Sequence, residues 1–344
     1  MTGDKKVEAT GRSRRTWPRL GFGGAAIAGL FQRVGEDEAR ATLDAALAGG
    51  ITYFDTAPHY GRGLSERRIG DALRGRSDML ISTKVGRLMR PDPSITDDRE
   101  RDGFYAAMPF SPVYDYSGDG ILRSFEASLH RLGLARVDLL LVHDIGRMTH
   151  GDRHDHHWEQ LTRGGGFAAL ERLRDEGAIG GFGLGVNEVA VCLDALRAAP
   201  LDAILLAGRY TLLEQTPLDA LFPACLAADV RVIVGGPYNS GILVAADGEG
   251  HYNYGRAPAE VAERVRRMAG IAKAHGVPLP AAALQFPLAH PAVACVIPGL
   301  RTPDEVNQTL DWFHHAIPDA FWADLRGAGL LRADAPLPQD RHDR

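Results

Sequence analysis

The chain has few cysteines, no long apolar run and no concentrated positive charge. Its three cysteines, Cys192, Cys225 and Cys295, form no C-x-x-C pair, and each lies in or beside an apolar segment. Buried free thiols are expected, which suits a reducing cytosol and a cytoplasmic protein. No run approaches the ~18 apolar residues that a membrane span needs. The N-terminal stretch M-T-G-D-K-K-V-E-A-T-G-R-S-R-R is charged and no apolar run follows it, so it does not read as a secretory signal. Net charge is −5 without a basic block, so neither nucleic acid nor membrane is an expected partner. A G-x-G-x-x-G turn is missing too. Gly21-Phe22-Gly23-Gly24 has the wrong spacing, which argues against an open dinucleotide-binding sheet.

What is present is an ordinary globular composition: 344 residues, 45% hydrophobic and 24% charged. That length suits two average domains or one barrel with additions. Short apolar runs at 19–22, 51–54, 79–83, 138–142, 181–186, 203–206, 230–234 and 293–297 read as strands. A helix-like stretch follows each one. Residues 36–48 show the pattern well, with Ala39, Leu43, Ala46 and Leu47 on one stripe before Gly49-Gly50. Strict alternation implies parallel strands with right-handed crossovers, and eight units close into a single (β/α)8 TIM barrel. The expected organisation is a flexible arm at 1–15, the α/β barrel at 16–330 and a polar tail at 331–344.

Two loops at the expected C-terminal face are long. The segment 86–118 carries four prolines and five aromatic residues. It reads as an irregular loop, and as a lid over a substrate if it has a function. The second loop holds His150, His154, His156 and His157 among Asp, Arg and Gly. It reads as a solvated loop, and no metal site is expected.

Three successive strand candidates end on chemistry. Residues 51–54 run into Asp55, 79–83 into Lys84 and 138–142 into His143, with Tyr60 in the loop after the second strand. Polar groups at the C-terminal ends of barrel strands are where such folds place their active sites. A phenol with a pKa of about 10 is a poor acid or base near neutrality. A neighbouring ammonium favours the phenolate, so Lys84 is expected to tune Tyr60, Asp55 to hold Lys84, and His143 to orient a substrate oxygen. None of these groups does redox chemistry alone, so a bound cofactor must accept the hydride.

These residues resemble the aldo-keto reductase family. Its signature, D-T-A-x-x-Y-G-x-x-E-x-x-x-G, is similar to residues 54–70, with two extra residues before Glu66. The family lysine matches Lys84 in I-S-T-K and its histidine matches His143 in L-L-L-V-H-D. The likeness spans about 19–330. It implies an Asp55, Tyr60, Lys84, His143 catalytic tetrad and an NAD(P)-dependent oxidoreductase. By the same likeness Gly24, Asn187, Gly236, Pro237, Ser240, Gly241, Gly299, Arg301 and Glu305 are cofactor contacts. Departures are visible. The family serine before the asparagine is Val186, its glutamine three residues before Tyr210 is Ala207, and its stacking aromatic falls in Gly235-Gly236-Pro237. Glu305 stands where NADP-preferring members often carry arginine, which favours NAD over NADP. The stretches L-L-A-G-R-Y-T-L-L-E-Q and V-G-G-P-Y-N-S-G-I-L resemble aldose 1-dehydrogenases acting on L-fucose and D-threo-aldoses, with pyridoxal 4-dehydrogenase a near relative. That implies oxidation of a small sugar at C1 to the lactone, with His59, Tyr114 and Arg209 as substrate contacts. Alternatives are pyridoxal oxidation, general aldehyde reduction, a Schiff-base aldolase using Lys84, and a nicotinamide-sensing binding protein.

Overall fold

A computed structural model describes residues 17–245 and 250–338; the expected arm at 1–15 lies outside them. Eight strands form one sheet: β1 (Phe22–Gly23), β2 (Tyr53–Asp55), β3 (Leu80–Val85), β4 (Val137–His143), β5 (Ile179–Val186), β6 (Ala203–Ala207), β7 (Arg231–Gly235) and β8 (Val293–Ile297). Every neighbouring pair is parallel and sequential. The sheet returns on itself through parallel bridges from Leu20 to Val296 and from Gly23 to Gly299. There the Gly21 N–H donates to the Val296 carbonyl at 2.9 Å. A Cβ at Gly21 would sit 2.8 Å from the Tyr53 ring, so only glycine lets β1 come this close.

The barrel is filled, not hollow. Tyr53, Leu80, Leu139, Leu141, Leu205, Ile233 and Cys295 form its interior cluster, with Trp17 packed against it. Helices cover the outside through a larger apolar layer. Helix Glu36–Ala48 has the bounds its stripe predicts. Two residues of the signature are structural. Glu66 is fully buried; it accepts from Thr83 at 2.7 Å and from Arg131 at 2.5 Å. A Cβ at Gly70 would lie 1.9 Å from the Leu132 carbonyl oxygen. Together they clamp helix Leu64–Leu73 onto helix Gly118–Leu132.

Several expectations need correction. β1 is shorter than residues 19–22 suggest and lies one step later. The other early strands run past their apolar cores, so Asp55, Lys84 and His143 sit inside strands. Ladder pairing carries on through them, with Asp55 opposite Ser82, Lys84 opposite Leu141 and His143 opposite Gly185. Part of 86–118 is regular: Arg87–Pro91 pairs antiparallel with Phe110–Tyr114. Prolines 91 and 112 hid that hairpin. The histidine segment is not a solvated loop. It forms helices Arg147–His150 and His154–Thr162, with His150, His154 and His157 buried. Nor are the described residues of the expected polar tail, 331–338, all polar and exposed. Ala335 and Leu337 are buried, and Arg332 pairs with Asp219 at 2.5 Å.

Candidate active site

At the C-terminal end of the strands, β2 and β3 set Asp55 and Lys84 side by side. The Lys84 ammonium donates to Asp55 Oδ2 at 2.7 Å and to the Thr56 carbonyl at 3.0 Å. Ser82 donates to the other Asp55 oxygen at 2.6 Å and bonds the Tyr53 hydroxyl at 2.9 Å. Both members of the ion pair are at most 2% exposed. Burial raises the Asp55 carboxyl, while Lys84 and Ser82 pull it back. Gly185 on β5 makes room for the lysine, since a Cβ there would meet Lys84 Cε at 3.0 Å.

Tyr60 lies above this pair, on a 3₁₀ turn stabilised by left-handed Gly61 and Arg62. Lys84 Nζ is 4.5 Å from the centre of its ring. The His143 ring stands edge-on to Tyr60, with centroids 5.9 Å apart. The four tetrad residues therefore meet. The expected tuning of Tyr60 does not hold in this state. Burial, helped by the Asp55 carboxylate, drives the phenol well above its ordinary value, so the hydroxyl keeps its proton. The lysine faces the ring, and two of its three donors are engaged by Asp55 and Thr56. Burial also depresses His143 well below the usual histidine range, with the Arg87 and Lys84 charges adding to it. Its imidazole is neutral, able to donate one N–H.

A cavity of about 660 Å³ opens over Tyr60, Lys84, His143 and Asn187. His59 lines it as expected, 5.4 Å and edge-on from Phe104, and burial lowers its pKa to about 3. The segment Glu100–Tyr105 of the long loop forms one wall. It is fastened to the loop after β1: the Phe31 N–H donates to the Gly103 carbonyl and the Tyr105 N–H to the Gly29 carbonyl. Sequence reasoning missed Phe104, Asp144 and Tyr254. Phe104 is buried and stacks on Tyr60 at 6.1 Å. A position next to His143 was the available signal for Asp144. Nothing local marked Tyr254, which a distant hairpin delivers.

A second cavity of about 450 Å³ meets the first at Tyr60, Leu205, Ala207 and Tyr254. Gly24, Gly236, Ser240, Gly241, Gly299, Arg301 and Glu305 line it. Its far end reaches the N-terminus of helix Pro303–His314, capped by Thr302 accepting from the Glu305 N–H at 3.1 Å. Bare glycine backbone, a helix N-terminus and a guanidinium make a channel suited to an elongated, phosphate-bearing molecule. A nicotinamide dinucleotide fits these residues. Asn187 lines the first cavity and not the channel.

Three expected contacts fall elsewhere. Pro237 is buried and lines neither cavity. Tyr114 turns away to pack on Tyr116 and edge-on to His150. Arg209 is a brace: it donates to the Asn187 carbonyl and to Asn253 Oδ1, each at 2.7 Å. Tyr114 and Arg209 each found a closer partner than the cavity.

A closed parallel barrel whose mouth joins the pocket holding Tyr60, Lys84 and His143 to a glycine-lined channel suits an oxidoreductase that borrows a nicotinamide. The Aldo/keto reductase family matches residues 19–329, and the chain belongs to that family. It is 46% identical to pyridoxal 4-dehydrogenase from Microbacterium luteolum, over 94% of this chain and 97% of that protein. It is 40% identical to D-threo-aldose 1-dehydrogenase from a Pseudomonas species, over 91% and 94%. Among solved structures it resembles an aldo-keto reductase from Bacillus halodurans in its holo form, with a TM-score of 0.70, 27% identity, and coverage of 94% and 95%. The chain is thus an NAD(P)-dependent oxidoreductase. No helix among the described residues is long and apolar enough to cross a membrane.

Proposed function

We propose that the protein oxidises a small cyclic hemiacetal to its lactone, with an aldose of the L-fucose or D-threo type as substrate, and prefers NAD. The observation that carries this reading is the junction at Tyr60, where the cavity over His143 meets the glycine-lined channel beside the Lys84–Asp55 pair. The hemiacetal carbon carries one hydrogen and one hydroxyl. When bound, the nicotinamide accepts that hydrogen as hydride. The hydroxyl proton passes to a Tyr60 oxygen that has first released its own proton. Asp55 holds the Lys84 ammonium against the ring face, and that ammonium is the charge that favours the phenolate once the hydroxyl proton has left. The His143 N–H orients the oxygen, and the enclosing Glu100–Tyr105 wall excludes water.

The NAD preference rests on Glu305. Its carboxylate accepts from the Arg301 N–H at 2.7 Å and from Arg301 Nε at 3.2 Å. The guanidinium that would meet a 2′-phosphate is already engaged, and the carboxylate suits a ribose hydroxyl.

Pyridoxal is the second reading. It also closes to a cyclic hemiacetal, and the Phe104 face beside Tyr60 offers a wall for a flat ring. Following absorbance of reduced nicotinamide with L-fucose, D-threo-aldoses and pyridoxal tests both. Turnover of an aldose supports the first reading; turnover of pyridoxal alone replaces it with the second. Silence with all of them removes the hemiacetal proposal.

A further inference from the structure

Asp144 is a cavity residue that the tetrad does not explain. It follows His143 with a φ of +44°, a left-handed backbone that non-glycine residues seldom adopt. Its Oδ2 is ion-paired with Arg87 and lies 3.5 Å from Nε2 of His143. Arg87 is buried at the root of the Arg87–Pro91 hairpin, with its guanidinium 5.3 Å above the Tyr114 ring. That pairing holds the carboxylate in one orientation. The Arg87 hydrogen bond enters this carboxylate through Oδ2, while Asp144 itself lines the cavity.

The same wall holds two unpaired polar atoms. Nδ1 of His143 and Nδ1 of His59 are buried without a partner, and both rings line the cavity. Buried polar atoms are normally satisfied. Two unsatisfied ones on a single cavity wall point to a ligand that supplies hydrogen-bonding groups. A carboxylate can only accept, so its natural complement is a substrate O–H.

We propose that Asp144 accepts a hydrogen bond from a substrate hydroxyl one or two carbons from the reacting carbon, with Arg87 as its positioning residue. Asp144 is then a specificity-determining residue that favours hydroxylated substrates over plain aldehydes. The identity of the natural substrate rests on the hemiacetal reading, but the hydroxyl preference can be measured without it. A site built to bond a substrate hydroxyl discriminates against the analogue lacking it, because the acceptor is left without a partner.

The test compares glyceraldehyde with propanal in the reductive direction, using reduced NAD, for the wild type and Asp144→Asn. The change in the kcat/KM ratio between enzymes removes the intrinsic reactivity difference of the two aldehydes. The ratio should fall by about 10- to 100-fold in the variant. Asp144→Asn strips the buried Arg87 of its counter-ion, so the double variant Arg87→Gln/Asp144→Asn, with both charges removed, is measured alongside it. A merely structural pair would lower both substrates together and leave the ratio intact in both variants, which overturns the proposal. A collapsed ratio with no hemiacetal oxidation would keep the role of Asp144 and discard the lactone chemistry. An intact ratio with brisk aldose oxidation would do the reverse.

Discussion

The Lys84 ammonium approaches Tyr60 through the face of its ring, 4.5 Å from the centroid, while donating to Asp55 and the Thr56 carbonyl. The lysine therefore supports the phenol as a positive charge beneath the ring. Burial meanwhile holds the hydroxyl protonated. The resting site is poised to give a proton, and oxidation requires that proton to leave first.

Replacing Tyr60 by Phe keeps the ring and its contact with Lys84. Turnover should drop by at least about 100-fold, with little change in thermal stability or in cofactor binding followed by fluorescence quenching. Near-normal turnover would take the acid–base role away from Tyr60.

Lys84→Met removes one half of a buried ion pair. The orphaned Asp55 charge should destabilise the protein by about 3–5 kcal/mol, read from urea unfolding. The double variant Lys84→Met/Asp55→Leu should recover much of that stability without recovering activity. Loss of stability in Lys84→Met below about 1 kcal/mol would show that the pair is not shielded from water as its burial implies.

Glu305→Ala frees Arg301 at the far end of the channel. The ratio of kcat/KM for NADP over NAD should rise by about 10-fold or more, the scale of one charge-assisted contact to phosphate. An unchanged ratio would mean that the 2′ position lies away from this pair.

Acid should weaken the fold through buried neutral histidines. Burial, reinforced by His157, lowers His150 to about 4, and His59 is lowered to about 3; an unfolded imidazole titrates near 6.5. Below pH 6.5 the unfolded chain binds more protons than the folded one at these sites, so folding loses stability as pH falls. The contribution is complete above about pH 6.5 and erodes through pH 4 and towards 3. Melting temperature against pH should show this slope, and His150→Gln should flatten it. Parallel curves for the two proteins would remove His150 from the account.

The histidine segment shows why parts of the site were hidden from the sequence. Surrounded by Asp, Arg and Gly, it gave no apolar stripe to read. Its order comes from partners far along the chain: the Tyr116 hydroxyl donates to the His143 carbonyl at 2.8 Å and meets His150 Nε2 at 2.9 Å. Likewise the Arg87–Pro91 hairpin partner starts nineteen positions after that strand ends, and prolines masked its alternation.

The chain alone determined the barrel, because apolar strand cores and amphipathic stripes are local patterns with fixed periods. It also placed Asp55, Lys84 and His143 at equivalent ends of three successive strands, which parallel topology must gather at one rim. Tertiary structure decided which loop residues join them. Tyr114 and Arg209 were taken up by neighbours, whereas Phe104, Asp144 and Tyr254 reached the cavity. Those outcomes turn on packing and pairing between distant segments, and no local period in a sequence encodes them.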